Sequence, residues 1–443
     1  MNTYASDFIE TVLGQIKYKK AHASITVELQ NHISEQAEGY MAESMGEDEA
    51  FCKAVAQMGN PAEIGKRLHK THKPKTEWSI MLLLGAIVVF GLYIISIYSS
   101  LYFDYSIFYK QVFFAGLGIC AIILFYFFDY TKLEKYSIPL YFVTSLLLLL
   151  AIMFGSKMQG RAYIQIWGFG FIPSFVAIPL ILIFYAGLVK KWCDGNVGNL
   201  LKLIGASGLP LFIILLEPSL IYCSIVGVGL LTMFTFGICG GNYKGNRRKT
   251  LIIIYGSLCA LVFLIFVYVL SNIPYGTERF TVFLNPQRYA RGAGYTNVVL
   301  DNILSSSKFL GSSESTYISG NGLPSANSEF IFTFVVGSLG WLFGILLIVL
   351  LGLIILRLFV AASKVRHEYG KYLCVGICCV FSLQVIVNLL MNLGLCPIFN
   401  VALPFFSYGG ASYLFNMALI GLLLGVYRRK DIIEKLERNS LSQ

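Results

Sequence analysis

Apolar blocks of roughly 18–25 residues, separated by short polar segments, recur along the chain from residue 79 onward. Each block carries few charges and is long enough to cross the hydrocarbon core of a bilayer as one helix. The pattern predicts an all-α polytopic membrane protein with about ten transmembrane helices, at residues 79–99, 112–129, 138–155, 173–190, 201–216, 219–240, 251–271, 330–357, 372–393 and 402–427.

Residues 1–78 follow a different pattern, because they hold no long apolar block and instead repeat apolar residues at helical spacing. One amphipathic helix is predicted over Tyr4–Lys17 and a second from about Lys20. The acidic run Glu47–Glu49 suits the start of a third helix, since acids complement the helix dipole there. Asn60-Pro61 predicts the cap and first position of a fourth. The segment is therefore predicted to be a small cytoplasmic helical domain.

The distribution of Lys and Arg predicts the orientation of the chain. These residues concentrate in the loops on the N-terminal side of the membrane and just after the last apolar block. By the positive-inside rule both termini, including the tail 431–443, are predicted to be cytoplasmic. Within the membrane domain 79–430, residues 272–329 then form the long outer loop. A connection of this length usually has a function of its own.

Composition excludes several classes of protein. The 443 residues are 56% hydrophobic and only 13% charged, and the mean hydropathy is +0.69, which excludes an ordinary soluble enzyme and a disordered protein. The net charge of +10 is explained by membrane orientation, so no nucleic-acid partner is predicted. The ten cysteines lie mostly in apolar blocks without histidines at zinc spacing, and we interpret them as small core residues. No apolar run opens the chain, so no signal peptide is predicted.

Glu329 is the candidate catalytic residue, because it lies where the outer loop enters the eighth apolar block. Two interpretations are open for this carboxylate. It is electrostatically favourable at the N-terminus of a helix, which would make its role structural. Alternatively, a carboxylate at the boundary between membrane and water, facing basic residues, acts on a lipid-linked substrate.

Two polar features mark the last two spans. The tenth span opens with Leu403–Ser412, where a proline and two glycines interrupt the helix and the backbone must line protein or a cavity. In the ninth span Asn388 and Asn392 lie one turn apart, with Gln384 a further turn back. Amides are costly in lipid, so this stripe is predicted to face the bundle, more as structural glue than as a binding site.

Three motifs in this order resemble the FtsW/RodA/SpoVE family of bacterial division, shape and sporulation proteins. They are Asn285-Pro286 with Gly292–Tyr295, then Pro324–Phe332, and then Leu403–Ser412, which is similar to the family's Ser-Tyr-Gly-Gly-Ser signature. The resemblance covers about residues 79–430. Residues 1–78 resemble the permease-prefix helical domain through Glu28-Leu29, His32-Ile33 and Met58–Gly65, which implies a regulatory or docking module.

The family resemblance implies a peptidoglycan glycosyltransferase that polymerises lipid II at the outer face of the bacterial cytoplasmic membrane, beside a class B penicillin-binding transpeptidase. It implies that Glu329 acts as general base on the acceptor hydroxyl, while the polyprenyl pyrophosphate leaves with help from cationic side chains or a divalent metal. No metal-ligand set is predicted. The predicted substrate-binding residues are Arg161, Arg279, Arg288, Arg291, Lys308, Ser407, Tyr408, Gly409 and Gly410.

The chain departs from the family at charged positions. Ile178 replaces a lysine, Gly337-Ser338 replaces paired glutamates, Ser219 replaces an aspartate, and Glu329 itself replaces an aspartate. Because of these losses, the sequence alone does not predict whether the protein is an enzyme. Besides a divergent polymerase, the sequence allows a non-catalytic scaffold of a cell-wall synthesis complex, or a flippase for lipid-linked precursors.

Overall fold

The computed structural model describes residues 3–19, 22–72, 76–158, 161–166, 169–216, 220–240, 243–272, 281–313 and 322–430. The chain divides into two compact units, and the larger comprises Glu77–Ser363 and Glu368–Gly425. The smaller unit contains the N-terminal helices. Each unit is described separately below.

The four N-terminal helices are α1 (Thr3–Gly14), α2 (His22–Ala42), α3 (Glu47–Met58) and α4 (Pro61–His72). Their order and positions match the helices predicted from apolar spacing. The Asn60 side chain accepts a hydrogen bond from the Ala62 backbone N–H at 2.9 Å, which caps α4 as predicted. The apolar faces meet in one core, formed by Ala5, Phe8, Ile9, Val12, Ile16, Ile25, Leu29, Ile33, Ala37, Ala50 and Ala54.

From Trp78 onward the chain is mainly helical. The helices are α5 (Trp78–Leu101), α6 (Tyr105–Phe127), α7 (Thr131–Lys135), α8 (Ser137–Phe154), α9 (Pro173–Trp192), α10 (Val197–Leu215), α11 (Leu220–Cys239), α12 (Arg247–Asn272), α13 (Tyr295–Ser306), α14 (Ile331–Leu339), α15 (Trp341–Ser363), α16 (Glu368–Asn392) and α17 (Gly410–Arg428). Eight of those in the described ranges are long and apolar enough to cross a membrane. Two more, α9 and α12, have 20 and 26 residues and coincide with predicted spans. The predicted all-α multi-pass membrane fold is confirmed.

The predicted eighth span, 330–357, is not one helix. It is broken at Gly340, whose φ of 100° interrupts the helical backbone between α14 and α15. Val336 and Gly344 would lie about 12 Å apart along one continuous helix. In the structure a Cβ added to Gly344 would lie 2.5 Å from the Val336 side chain. The short helix α14 therefore folds back against α15.

The tenth span also begins later than predicted, because its helix starts at Gly410 rather than near residue 402. Close packing against α6 explains the small residues of α17. A Cβ on Gly410 would collide with the Phe114 ring, and a Cβ on Gly421 would lie 2.7 Å from the Ile122 backbone. The two helices thus approach each other where glycine permits it.

A small antiparallel sheet between α8 and α9 was not predicted. It consists of β1 (Ser156–Met158), β2 (Arg161–Ile166) and β3 (Phe169–Phe171) in the order β1-β2-β3. Lys157 pairs with Ala162, and Gln165 pairs with Gly170. The sheet places Arg161, one of the predicted substrate-binding residues, at the start of its central strand.

Candidate functional site

Glu329 lies in a tight turn that leads into α14. The backbone N–H groups of Ser328 and Phe330 both donate to the Ser325 carbonyl, at 3.0 and 3.3 Å, and Ser325 has a φ of 47°. The Ser328 hydroxyl donates to the Glu329 carboxylate. The side chain of Glu329 is partly exposed, so the turn fixes the backbone while the carboxylate keeps access to solvent.

Two buried amides hold the backbone carbonyl of Glu329. The side-chain nitrogens of Asn388 and Asn392, both 0% exposed, donate to it at 2.9 and 3.0 Å. The Asn392 oxygen accepts from the N–H and the hydroxyl of Thr333, at 3.3 and 2.8 Å. The polar stripe of α16 is therefore turned into the bundle, as predicted, and it fastens the start of α14.

The signature segment, which is the part of Leu403–Ser412 that precedes α17, forms hydrogen bonds to the same turn. The Ser407 hydroxyl donates to the Ser328 carbonyl at 2.6 Å and accepts from the Leu403 N–H at 2.7 Å. The Tyr408 N–H donates to the Asn327 carbonyl at 2.7 Å. Asn388 also donates to the Val401 carbonyl at 2.7 Å. Three regions that the sequence marked separately thus form one hydrogen-bonded site.

The outer-loop motif folds into a compact turn that is tied to this region. The N–H groups of Gly292 and Gly294 both donate to the Tyr289 carbonyl, at 2.9 and 3.0 Å. A Cβ on Gly294 would lie 2.5 Å from the Pro286 carbonyl, so this position needs glycine. The Tyr295 hydroxyl donates to the Gly322 carbonyl at 2.9 Å, which connects the motif to the segment that leads to Glu329.

None of the predicted cations in the described ranges forms an ion pair with Glu329. Arg288, Arg291 and Lys308 are exposed, and within the described ranges Glu329 makes no ion pair. The Lys308 carbonyl accepts from the Trp341 N–H at 3.0 Å, which puts this backbone at the far end of the nine-residue helix α14, about 13 Å away along its axis. The side chain of Arg161 and the whole of Arg279 lie outside the described part.

The signature glycines differ in their surroundings. Gly410 packs against the Phe114 ring, which leaves no space for a Cβ, so packing explains the glycine at this position. A Cβ on Gly409 would meet nothing closer than Ser412, at 4.0 Å, so this backbone is open. Of the four signature residues predicted to bind substrate, Ser407 is engaged in hydrogen bonds and Tyr408 is only half-buried.

The positions that lost family charges are apolar or satisfied within the bundle. Ile178 is 4% exposed in α9, and the Ser338 hydroxyl donates to the Phe334 carbonyl of its own helix. Beside Ile178, Pro179 and Leu182 line a cavity of only about 10 Å³, which is about the space of one water. Pro218 and Ser219 lie outside the described residues.

The donor set around Glu329 does not suit a divalent metal. Such ions prefer several carboxylate or other oxygen ligands. In the described segments no group of three or more His, Cys, Asp and Glu side chains could hold one, and the neighbouring amides are occupied by hydrogen bonds. The described residues around Glu329 therefore do not form a site for a divalent metal.

Sequence reasoning missed Asp104, at the turn between α5 and α6. Its carboxylate accepts from the N–H and hydroxyl of Ser106, at 3.1 and 2.7 Å, and caps α6. Burial raises the pKa of the Tyr408 hydroxyl, and the negative charge of Asp104 raises it further. The Asp-x-Ser spacing of a helix cap was the available signal.

Comparison with known proteins agrees with this architecture. The family model FtsW/RodA/SpoVE, described as cell cycle protein, matches residues 73–432. A probable peptidoglycan glycosyltransferase FtsW of Trichlorobacter lovleyi is 27% identical over 378 residues, which cover 79% of this chain and 93% of the relative. The stage V sporulation protein E of Bacillus subtilis is 27% identical over 363 residues, covering 79% and 94%.

Two solved structures share the fold. One comes from work on the structural coordination of polymerization and crosslinking by a peptidoglycan synthase complex; it has a TM-score of 0.66 and 26% identity, and the match covers 80% of this chain and 98% of that one. The rod shape determining protein RodA of Thermus thermophilus has a TM-score of 0.57 and 21% identity, covering 80% and 97%. The chain therefore belongs to the FtsW/RodA/SpoVE family.

Proposed function

We propose that this protein is a divergent peptidoglycan glycosyltransferase, which polymerises lipid II at the outer face of the bacterial cytoplasmic membrane during division, shape maintenance or sporulation. The proposal is supported by relatives named as probable peptidoglycan glycosyltransferases, which this chain matches over most of their length. It is also supported by the likeness to a chain from a peptidoglycan synthase complex.

The main observation in support of the proposal is that hydrogen bonds fix the backbone at Glu329. Its carbonyl is held by Asn388 and Asn392, and its neighbour Ser328 is held by Ser407, while the carboxylate stays partly exposed. A fixed backbone with an accessible carboxylate is what a general base needs, because a misplacement of about 1 Å costs about 100-fold in rate.

In the proposed reaction the acceptor sugar hydroxyl attacks the anomeric carbon of the donor. A glycosidic C–O bond forms, the C–O bond to the polyprenyl pyrophosphate breaks, and the hydroxyl proton passes to Glu329. The leaving pyrophosphate carries away the bonding electron pair and needs cations. We propose Arg161, Arg279, Arg288, Arg291 and Lys308 for this role. Arg288 and Arg291 are favoured among them, because their turn is tied through Tyr295 to Gly322.

The test is lipid II polymerisation by the purified protein, with glycan strands separated by gel electrophoresis. Replacing Glu329 by Gln keeps the size of the side chain but removes the base, and we expect the rate to fall at least about 100-fold. Asp301→Asn is the matched control, because Asp301 is an exposed carboxylate of the same outer segment and its loss should leave the rate unchanged. Polymerisation that survives in Glu329→Gln rules out the assigned base.

A second candidate is a non-catalytic scaffold that holds a class B penicillin-binding transpeptidase, with the N-terminal helices as a docking module. The buried Ile178 and the apolar cavity beside it favour this alternative, because a pyrophosphate site would be expected to keep its charges. If the scaffold is correct, the wild-type protein forms no glycan strands alone or with the transpeptidase, yet the two still co-purify.

A further inference from the structure

Two buried polar groups at the ends of α5 and α6 lack hydrogen-bond partners. They are the hydroxyl of Ser99, which is 0% exposed, and the Oε1 atom of Gln111, which is 2% exposed. Buried polar groups in folded proteins are nearly always bonded to protein, water or ligand. A pair of unsatisfied groups close to the candidate site therefore points to a molecule that is bound there during function.

The packing of α6 aims Gln111 at the signature segment. Gln111, Ala115, Gly118 and Ile122 form the buried face of this helix. A Cβ on Gly118 would lie 2.9 Å from Met417 of α17, and one turn earlier Phe114 meets Gly410. Continuing along the same face by one more turn brings Gln111 to the level of Tyr408 and Gly409.

The packing of α5 brings Ser99 to the same place. A Cβ on Gly91 would lie 3.1 Å from the Phe405 carbonyl. Ser99 follows Gly91 by eight residues, which is about two turns on the same face, beyond Phe406 and toward Tyr408. The Ser99 carbonyl accepts from the Asp104 N–H at 3.1 Å, so Asp104 lies about one turn beyond Ser99 at the end of α5.

The geometry points to Ser99, Gln111 and Asp104 as a subsite beside Tyr408, in which they bind separate hydroxyl or amide N–H groups of the saccharide on the lipid-linked substrate. The proposal rests on the function proposed above. The subsite is rich in acceptors, because the free groups are a glutamine carbonyl and a serine hydroxyl, with a carboxylate nearby. Such a site attracts hydrogen-bond donors and repels pyrophosphate, so it selects the sugar end of the substrate rather than the carrier.

The experiment measures binding to the full-length protein in detergent micelles. The probes are fluorescent lipid II and polyprenyl pyrophosphate without sugar. Gln111→Leu and Ser99→Ala should each weaken the affinity for lipid II about tenfold, while the affinity for polyprenyl pyrophosphate stays unchanged. Ser145→Ala is the matched control, because Ser145 is a buried hydroxyl already bonded to the Tyr141 carbonyl and should leave both affinities unchanged.

The outcomes separate the subsite from the proposed reaction. Glu329→Gln should keep lipid II binding while losing turnover, and Gln111→Leu should raise KM more than it lowers kcat. One outcome would support the subsite and contradict the polymerase. In it, the wild-type protein binds lipid II but forms no glycan strands, and Gln111→Leu abolishes the binding. Unchanged lipid II affinity in both variants overturns the subsite, as does an equal loss for both probes. Unchanged affinity with a raised thermal midpoint in Gln111→Leu shows that the Gln111 carbonyl is an unsatisfied buried group, and this result also overturns the subsite.

Discussion

Asn392 illustrates how much of the site depends on single buried side chains. Its amide nitrogen donates hydrogen bonds to the carbonyls of Glu329 and Asn388, and its amide oxygen accepts a hydrogen bond from Thr333. Leaving buried polar groups without partners costs about 1–3 kcal/mol each. This one residue therefore links the stability of the bundle to the position of the proposed base.

We predict that Asn392→Leu destabilises the protein by about 2–3 kcal/mol, since the Thr333 hydroxyl loses its acceptor. The polymerisation rate should fall at least about tenfold, because the Glu329 backbone loses one of its two amide donors. Thermal unfolding in detergent and the strand assay measure the two effects. Asn302→Ala, at an exposed position of α13, is the control and should change neither. A wild-type polymerisation rate in Asn392→Leu would contradict the proposal that this amide positions the Glu329 backbone.

At the scale of elements, the turn between α14 and α15 lies at the end of α14 opposite Glu329. Gly340 has a φ of 100°, and a Cβ there would lie 2.7 Å from the Phe309 carbonyl. The Lys308 and Phe309 carbonyls accept from the first two N–H groups of α15, at 3.0 and 3.1 Å. The residues after α13 thus cap the helix start that Gly340 creates.

Replacing Gly340 by Ala should cost at least about 1–2 kcal/mol, because the left-handed backbone and the Phe309 contact both oppose a Cβ. Gly352→Ala in α15 is the matched control: a Cβ there meets nothing within 4 Å, and alanine favours the helix. The thermal midpoints of the two variants should move in opposite directions. Equal midpoints would contradict the requirement for glycine at the turn between α14 and α15.

The elements also mark the limit of what the sequence could predict. Helix positions were recoverable because span length, apolar spacing and caps such as Asn60 are local signals. The break at Gly340 was missed because hydrophobicity continues through it, and one glycine inside an apolar run is no certain signal. The sheet at Arg161 was missed because its strands have three to six residues and gain stability only from pairing.

The site itself was predicted only in pieces. Glu329, Asn388 and Ser407 each stood out as polar groups at costly positions. They lie in one site because of hydrogen bonds between residues 59 to 79 positions apart, such as the bond from Ser407 to Ser328. No local sequence pattern encodes these contacts. Which of the predicted cations approach Glu329 stays a prediction, since charge in a loop does not fix its fold.

At the scale of the whole molecule, the distribution of charge predicts the orientation in the membrane. We predict that a green fluorescent protein fused after residue 443 is fluorescent, because a cytoplasmic C-terminus lets it fold. A fusion at Lys308, in the predicted outer loop, should be dark, whereas alkaline phosphatase at that position should be active. The reverse pattern would place the proposed base in the cytoplasm and contradict the polymerase.

The tie between Ser407 and the turn at Ser328 has a consequence for biosynthesis. The ribosome makes Glu329 about 80 residues before Ser407. A nascent chain that stalls in between therefore lacks the hydrogen bond from Ser407 to the turn that carries Glu329. We therefore expect copies that end before Ser407 to lack polymerase activity even when they are inserted in the membrane.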